Sequence, residues 1–352
     1  MMKKRHILHW AMGVVMTPLL GSCAADDIGD AGRDGCDIIL GQPMAVTSVT
    51  RATDGRSSSN QFEANEEVWL WANKNDGSST EYIKAWKLKA GSGGSFSSYT
   101  TGNDKYWPSD GSSLDVYALH GNFKNSPISE GTTSWSSLTA LTHTVVTDQS
   151  SDENKRLSDL LYSHPSTAVA PNSGSVQLTF DHLLAKITVK LNLNDSQGIE
   201  ASELASAEVT LTNMLTSGDF NSANVSNITT TGVSANASVS GEDIKAGVIN
   251  QPPVMTSTAY EVGSAIVPLQ DFGGGKSPSS DNNVITITLA DGTSRSFSYK
   301  PTSIVTLAAG KEYIYTLKII NGELSVSSIT VTGFTTHEEP KSWDDYVEPS
   351  GS

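Results

Sequence analysis

The stretch Val284-Ile285-Thr286-Ile287-Thr288-Leu289-Ala290 alternates apolar and polar residues and runs into Asp291-Gly292, after which a second such stretch covers 293–300. A period of two puts Ile285, Ile287 and Leu289 on one face of an extended strand and Thr286 and Thr288 on the other, which no helix can do. Asp-Gly supplies the positive φ angles of a two-residue hairpin turn. The same grammar recurs at Tyr313–Ile320, Asn321-Gly322 and Glu323–Thr332. Further strands are predicted at Val68–Ala72, Tyr82–Lys89, Leu114–His120, Val176–Phe180, Ala185–Leu193, Ala207–Met214, Ala265–Leu269 and Ser303–Leu307. Turn residues recur at Asp76-Gly77, Asp110-Gly111 and Ser217-Gly218. Short helices are expected only at Asn154–Leu161 and Ala201–Ser206, and the Ser/Gly/Asn-rich stretches 91–104 and 219–242 read as surface loops. Many short strands between turns predict an all-β protein built of sandwiches.

A chain of 352 residues has room for two such domains. The polar segment 193–202 follows a strong apolar strand, so the boundary is placed there, giving an N-terminal β-sandwich over 44–194 and a C-terminal one over 195–352 with a polar tail. Hydrophobic residues make up only 37% of the chain. That suits half-buried strands with one polar face.

Several function classes drop out. The formal charge is −15, and it becomes more negative still without Lys3, Lys4 and Arg5. Such a surface repels phosphate backbones, so no nucleic-acid partner is expected. The only cysteines, Cys23 and Cys36, precede the body, which leaves the folded domains without a disulfide framework or a zinc site. Outside the leader the histidines are His120, His143, His164, His182 and His337, and none has HExxH spacing. No GxSxG elbow or P-loop is present. The chain is therefore read as a non-enzyme without cofactor or metal. Ser109–Asp115 lacks the ligand spacing of a calcium loop and fits turn chemistry. Trp69, Trp71, Trp86 and Trp107 are assigned mostly to the core.

Residues 1–22 have the form of an export signal: basic Met1–His6, then apolar Ile7–Leu20, too short for a stable span. They end in Leu20-Gly21-Ser22-Cys23, which resembles the bacterial lipobox. Cys23 is then the acylated first residue of a mature, palmitate-bearing lipoprotein. Residues 23–43, with Asp26, Asp27, Asp30, Asp34 and Asp37, are too acidic and too poor in apolar residues to fold, and serve as a tether.

Several stretches together resemble the fimbrillin family, the type V pilins of Bacteroides-like bacteria. Thr50-Arg51-Ala52-Thr53 follows the short alternation Met44–Val49, and Phe62 and Glu66–Trp71 come next. Tyr106-Trp107-Pro108 precedes Leu114–Ala118, and Leu160-Leu161-Tyr162 precedes Val176–Val189, in which Phe180, His182 and Lys186 stand out. Ile266–Gln270 and Leu307–Tyr315 continue the likeness in the second half. The resemblance implies two transthyretin-like β-sandwich domains in tandem. It also implies a lipoprotein precursor carried to the outer membrane and held there by its lipid anchor. On the same resemblance, an Arg-specific protease is expected to cut this precursor behind its first strand. The strand leaves, and a strand from another pilin subunit takes its place by donor-strand exchange, building a fimbria for cell adhesion. By position Arg51 is the processing site, with Arg56 and Arg33 as alternatives, and Met44, Val46 and Val49 are the main apolar residues of the lost strand. The alternation slips near Val49, which allows a bulge or a shorter strand. At the other end Ser328–Thr332 alternates cleanly, whereas 338–352 contains Pro340 and Pro349, which cannot donate to a ladder. Stalk and tip roles both stay open. The other reading of the chain is a monomeric surface lipoprotein that binds glycan or a host protein.

Overall fold

Apolar residues spaced by two form strands here because each strand then has one face to bury against another layer. The computed structural model describes residues 43–334 except 51–61, 79, 172–174, 225–226, 239, 251–258, 274–283, 291 and 293–294. All lie in one compact unit, Gly41–Ser352. In chain order the strands are β1 (Ala45–Thr50), β2 (Glu67–Lys74), β3 (Glu81–Ala90), β4 (Ser95–Ser98), β5 (Leu114–His120), β6 (Leu141–Thr144) and β7 (Leu161–Ser163). Next come β8 (Ser175–His182), β9 (Ala185–Leu191), β10 (Glu208–Met214), β11 (Ser217–Phe220), β12 (Glu242–Val248) and β13 (Tyr260–Val267). The last are β14 (Asp271–Phe272), β15 (Val284–Thr288), β16 (Ser296–Tyr299), β17 (Val305–Thr306), β18 (Lys311–Ile320) and β19 (Glu323–Gly333). One short helix, α1 (Asp152–Ser158), is capped by the Ser151 hydroxyl, which accepts from the Asn154 amide.

The first strands form a closed barrel in the order β1-β4-β3-β2-β5-β7-β8. Closure removes the edges that an open sheet would leave. The barrel is filled by its own cluster, including Leu70, Leu88, Trp107, Leu178 and Phe180. Beyond it, the sheets β12-β10-β15-β16 and β13-β9-β18-β19 face each other across a second cluster. Val209, Leu211, Ile285 and Ile287 come from one sheet, and Ile187, Val189, Tyr315 and Leu317 from the other. The protein is all-β, with sandwich-type packing in this half.

The differences from expectation have physical causes. Ala185–Leu191 pairs with β13 and, in parallel, with β18, not with barrel strands. Its sheet partners place it with the C-terminal strands, ahead of the 194/195 boundary. The expected loop 91–104 contains β4, whose Phe96 supplies one apolar anchor among serines. β15 and β16 pair one residue out of the register that a two-residue Asp291-Gly292 turn would set, and Asp291 itself lies outside the described residues. Ile287 stands opposite Phe297, and the Leu289 amide donates to the Arg295 carbonyl. A two-residue turn would have set Ile287 against Ser296. Burying Phe297 selects the other register, because a one-residue slip turns every side chain over.

The barrel and the sandwich are tied together by the segment after β5. β6 pairs with β11, setting Leu141 opposite Phe220. The Lys245 amide of β12 then donates to the Thr147 carbonyl, and the Gln149 amide to the Lys245 carbonyl, both at 2.8 Å. The buried Gln149 side chain accepts from the Ile266 amide at 2.8 Å and donates to the Ile266 carbonyl at 2.9 Å.

Candidate functional site

β1 occupies the seam of the barrel. It runs antiparallel to β4, through Val46↔Phe96 and Thr47↔Ser95. On its other side it runs parallel to β8 along its whole length, from Ala45↔Ser175 to Thr50↔Phe180. That ladder carries no register shift, so the slip in alternation near Val49 produces no bulge against β8. The strand is anchored at its start, where the Met44 amide donates to the Lys105 carbonyl at 2.9 Å and Pro43 bridges to Tyr106.

Met44 and Val46 are buried in the barrel, 6% and 2% exposed. Side chains of this kind contribute about 1.5–3 kcal/mol each when fully buried. Val49 stands opposite Thr179 in the register. The rest of the seam wall belongs to the flanking strands: Val176, Leu178 and Phe180 of β8 are fully buried. Without β1, those side chains and the facing amides of β4 and β8 would lie open, a groove with an unpaired strand on each side.

Phe62, where the described chain resumes, seals one end of this seam. Its ring meets Phe180 of β8 at 5.0 Å, Phe96 of β4 at 5.4 Å and His120 of β5 at 5.2 Å, all edge to face. His120 is fixed in turn by the carbonyls of Glu67, 2.8 Å from Nδ1, and Arg156, 3.2 Å from Nε2. Nothing in the sequence around Phe62 announces this contact, since its partners come from three strands far along the chain.

Cys23, Arg33, Arg51, Arg56 and the tail 338–352 lie outside the described residues. His182 and Lys186 of the family-like run take structural places. His182 bonds Asp159 through Nδ1 at 2.9 Å and stacks on Phe334 at 3.7 Å. Lys186 lies 3.3 Å from Glu312, which also accepts from the Thr188 hydroxyl at 2.6 Å. Asp159, Glu312 and Phe334 were not singled out from the sequence. Asp110 accepts from Lys74 and from the Ser112 amide, and these bonds hold its carboxyl well below the usual range. Trp71, Trp86 and Trp107 are buried, and Trp69 packs half-buried against the larger core.

β1, the first of the described strands, closes the barrel between β4 and β8. No curated protein matches the sequence. Solved structures with a similar fold include a Bacteroides uniformis protein proposed to act in cell adhesion. It is 18% identical, with 83% of this chain and 99% of that one covered and a TM-score of 0.56. Another such protein, from Bacteroides ovatus, is 14% identical over 85% of this chain and 99% of its own, with a TM-score of 0.60. A family model described as fimbrillin-like matches residues 50–333. On that match, which spans the barrel from the last residue of β1 onward and the sandwich that follows, the chain belongs to the fimbrillin-like family.

Proposed function

We propose that this chain is the precursor of a subunit of a surface fimbria that serves adhesion, matured by proteolysis and assembled by strand exchange. In this reading it is a non-enzyme, anchored through acylated Cys23 to the outer membrane until an Arg-specific protease cuts after Arg51. β1 then leaves the barrel, and a strand from another pilin subunit enters between β4 and β8. The mature body is read as two transthyretin-like domains, the barrel and the sandwich after it, and the pairing of β9 supports a boundary just before Ala185.

The observation that carries the reading is the position of β1. It precedes all the other described strands, closes the barrel, and contributes Met44 and Val46 to a core that the other strands otherwise complete. Replacing it in trans would satisfy the same backbone groups by β-strand addition. Head-to-tail repetition of that contact does not close on itself, so it gives a fibre.

The test is limited digestion of the soluble precursor with an Arg-specific protease, followed by intact mass and size-exclusion chromatography. The expected result is one cut after Arg51 and growth of oligomers. Resistance at Arg51, with a stable monomer, would favour a monomeric lipoprotein that binds glycan or a host protein.

A further inference from the structure

β1 is not held in the same way along its length. At Val46 and Thr47 it has a neighbour on each side, whereas Ser48, Val49 and Thr50 pair with β8 and have no β4 residue in register. Phe62 reaches across at this end, touching Phe96 of β4 and Phe180 of β8. In a parallel register, residues opposite one another share a face. The register position opposite the buried Phe180 therefore lies on the face of the sheet that Phe180 shares with the Phe62 ring packed against it.

We propose that Phe62 sets the inner end of the seam and so determines which strand the seam takes. The partner is a strand of another subunit that runs parallel to β8 and carries bulky apolar side chains at the registers of Met44 and Val46. At the register opposite Phe180 it carries only a small side chain. The assignment of a subunit strand as partner rests on the strand-exchange reading above; the part played by Phe62 does not. Phe62 lies beyond Arg51, so it stays with the acceptor after the cut. It is a specificity residue of the acceptor and no part of the displaced strand.

Two measurements test this. In the first, the protein cut after Arg51 is titrated with a labelled peptide spanning Pro43–Thr50 and followed by anisotropy. A peptide with Trp at the Thr50 position should bind about tenfold more weakly, from overpacking against Phe62, and should regain affinity on the Phe62→Ala acceptor. A peptide with Ser at the Met44 and Val46 positions should bind neither acceptor. Equal binding of the Trp peptide to both acceptors overturns the role of Phe62. Failure of every peptide to bind overturns the strand partner and the reading it rests on.

The second measurement uses the intact, uncut chain. Thr50→Trp should lower the Tm, and it should lower it less in a Phe62→Ala background. Equal drops in the two backgrounds overturn the role of Phe62 without bearing on strand exchange. Phe62→Leu serves in both measurements where the Ala variant does not fold.

Discussion

His143 is fully buried, and its two ring nitrogens have opposite tasks. Nδ1 accepts from the Asn122 amide at 3.0 Å, and Nε2 lies 2.9 Å from the Ser158 carbonyl, to which it donates. A second ring proton would point at the Asn122 N–H. Burial, chiefly, lowers the pKa from 6.5 to about 4, against smaller upward pulls from the Ser158 bond and Asp159. In the unfolded chain the ring takes up its proton near pH 6.5. Between those values the unfolded state binds more protons, so the stability from neutral His143 is complete above about pH 6.5 and lost as the pH falls to about 4. Urea unfolding at a series of pH values should show a loss of roughly 3 kcal/mol over that window from this group. His143→Gln should flatten that part of the profile; an unchanged slope would contradict the assignment. The sequence offers His143 only as a histidine without a metal-binding neighbour. Its partners are set by how the segment after β5 folds back, and no local pattern encodes that. The same holds for His182 with Asp159 and for Lys186 with Glu312, pairs that exist only once distant strands meet.

Two hairpins with the same turn grammar came out differently. β18 and β19 pair through Ile320↔Glu323 around Asn321-Gly322, with φ of 53° and 82°, the two-residue turn that the sequence predicts. β15 and β16 pair one residue out of the register of such a turn, because local turn chemistry contributes less than burying Phe297 opposite Ile287. Alternation was therefore enough to find most strands, whereas register needed the facing layer. Short β4 is not legible in the sequence, because four residues with one aromatic carry too little pattern to distinguish a strand from a loop. A pair of glycine substitutions separates backbone strain from packing. Gly322→Ala meets nothing within 4 Å and should cost about 1 kcal/mol, the price of a left-handed alanine. Gly232→Ala also stands at positive φ, and its Cβ would lie 2.6 Å from the Leu183 carbonyl and 2.7 Å from the Ala309 Cβ. It should cost more than about 3 kcal/mol in chemical denaturation. Similar losses for the two variants would show that the chain around Gly232 yields.

The all-β class was legible in the alternation. The strap between the barrel and the sandwich was not. Residues 141–149 look like a connection in the sequence, yet they pair with β11 and β12 and clamp β13 through Gln149. Separating barrel from sandwich would expose buried polar groups along this strap, at about 1–3 kcal/mol for each one left unpaired. The uncut protein should therefore unfold in calorimetry as one transition, with van't Hoff and calorimetric enthalpies equal. Two resolved transitions would show that the strap does not couple the halves.

The uneven support of β1 also has a mechanical consequence. Drawn along its own axis, the strand must shear its whole ladder with β8 at once. Lifted from one end, it peels a pair at a time. The Thr50 end has a single neighbouring strand, whereas β4 joins at Val46 and Thr47, and the Met44 end is held by the Lys105 carbonyl and by the buried side chains of Met44 and Val46. A cut just beyond Thr50 would free the end from which peeling meets the least resistance. A fibre held by strands in this seam would be strong under tension along the strand, yet each joint could still be opened from one side.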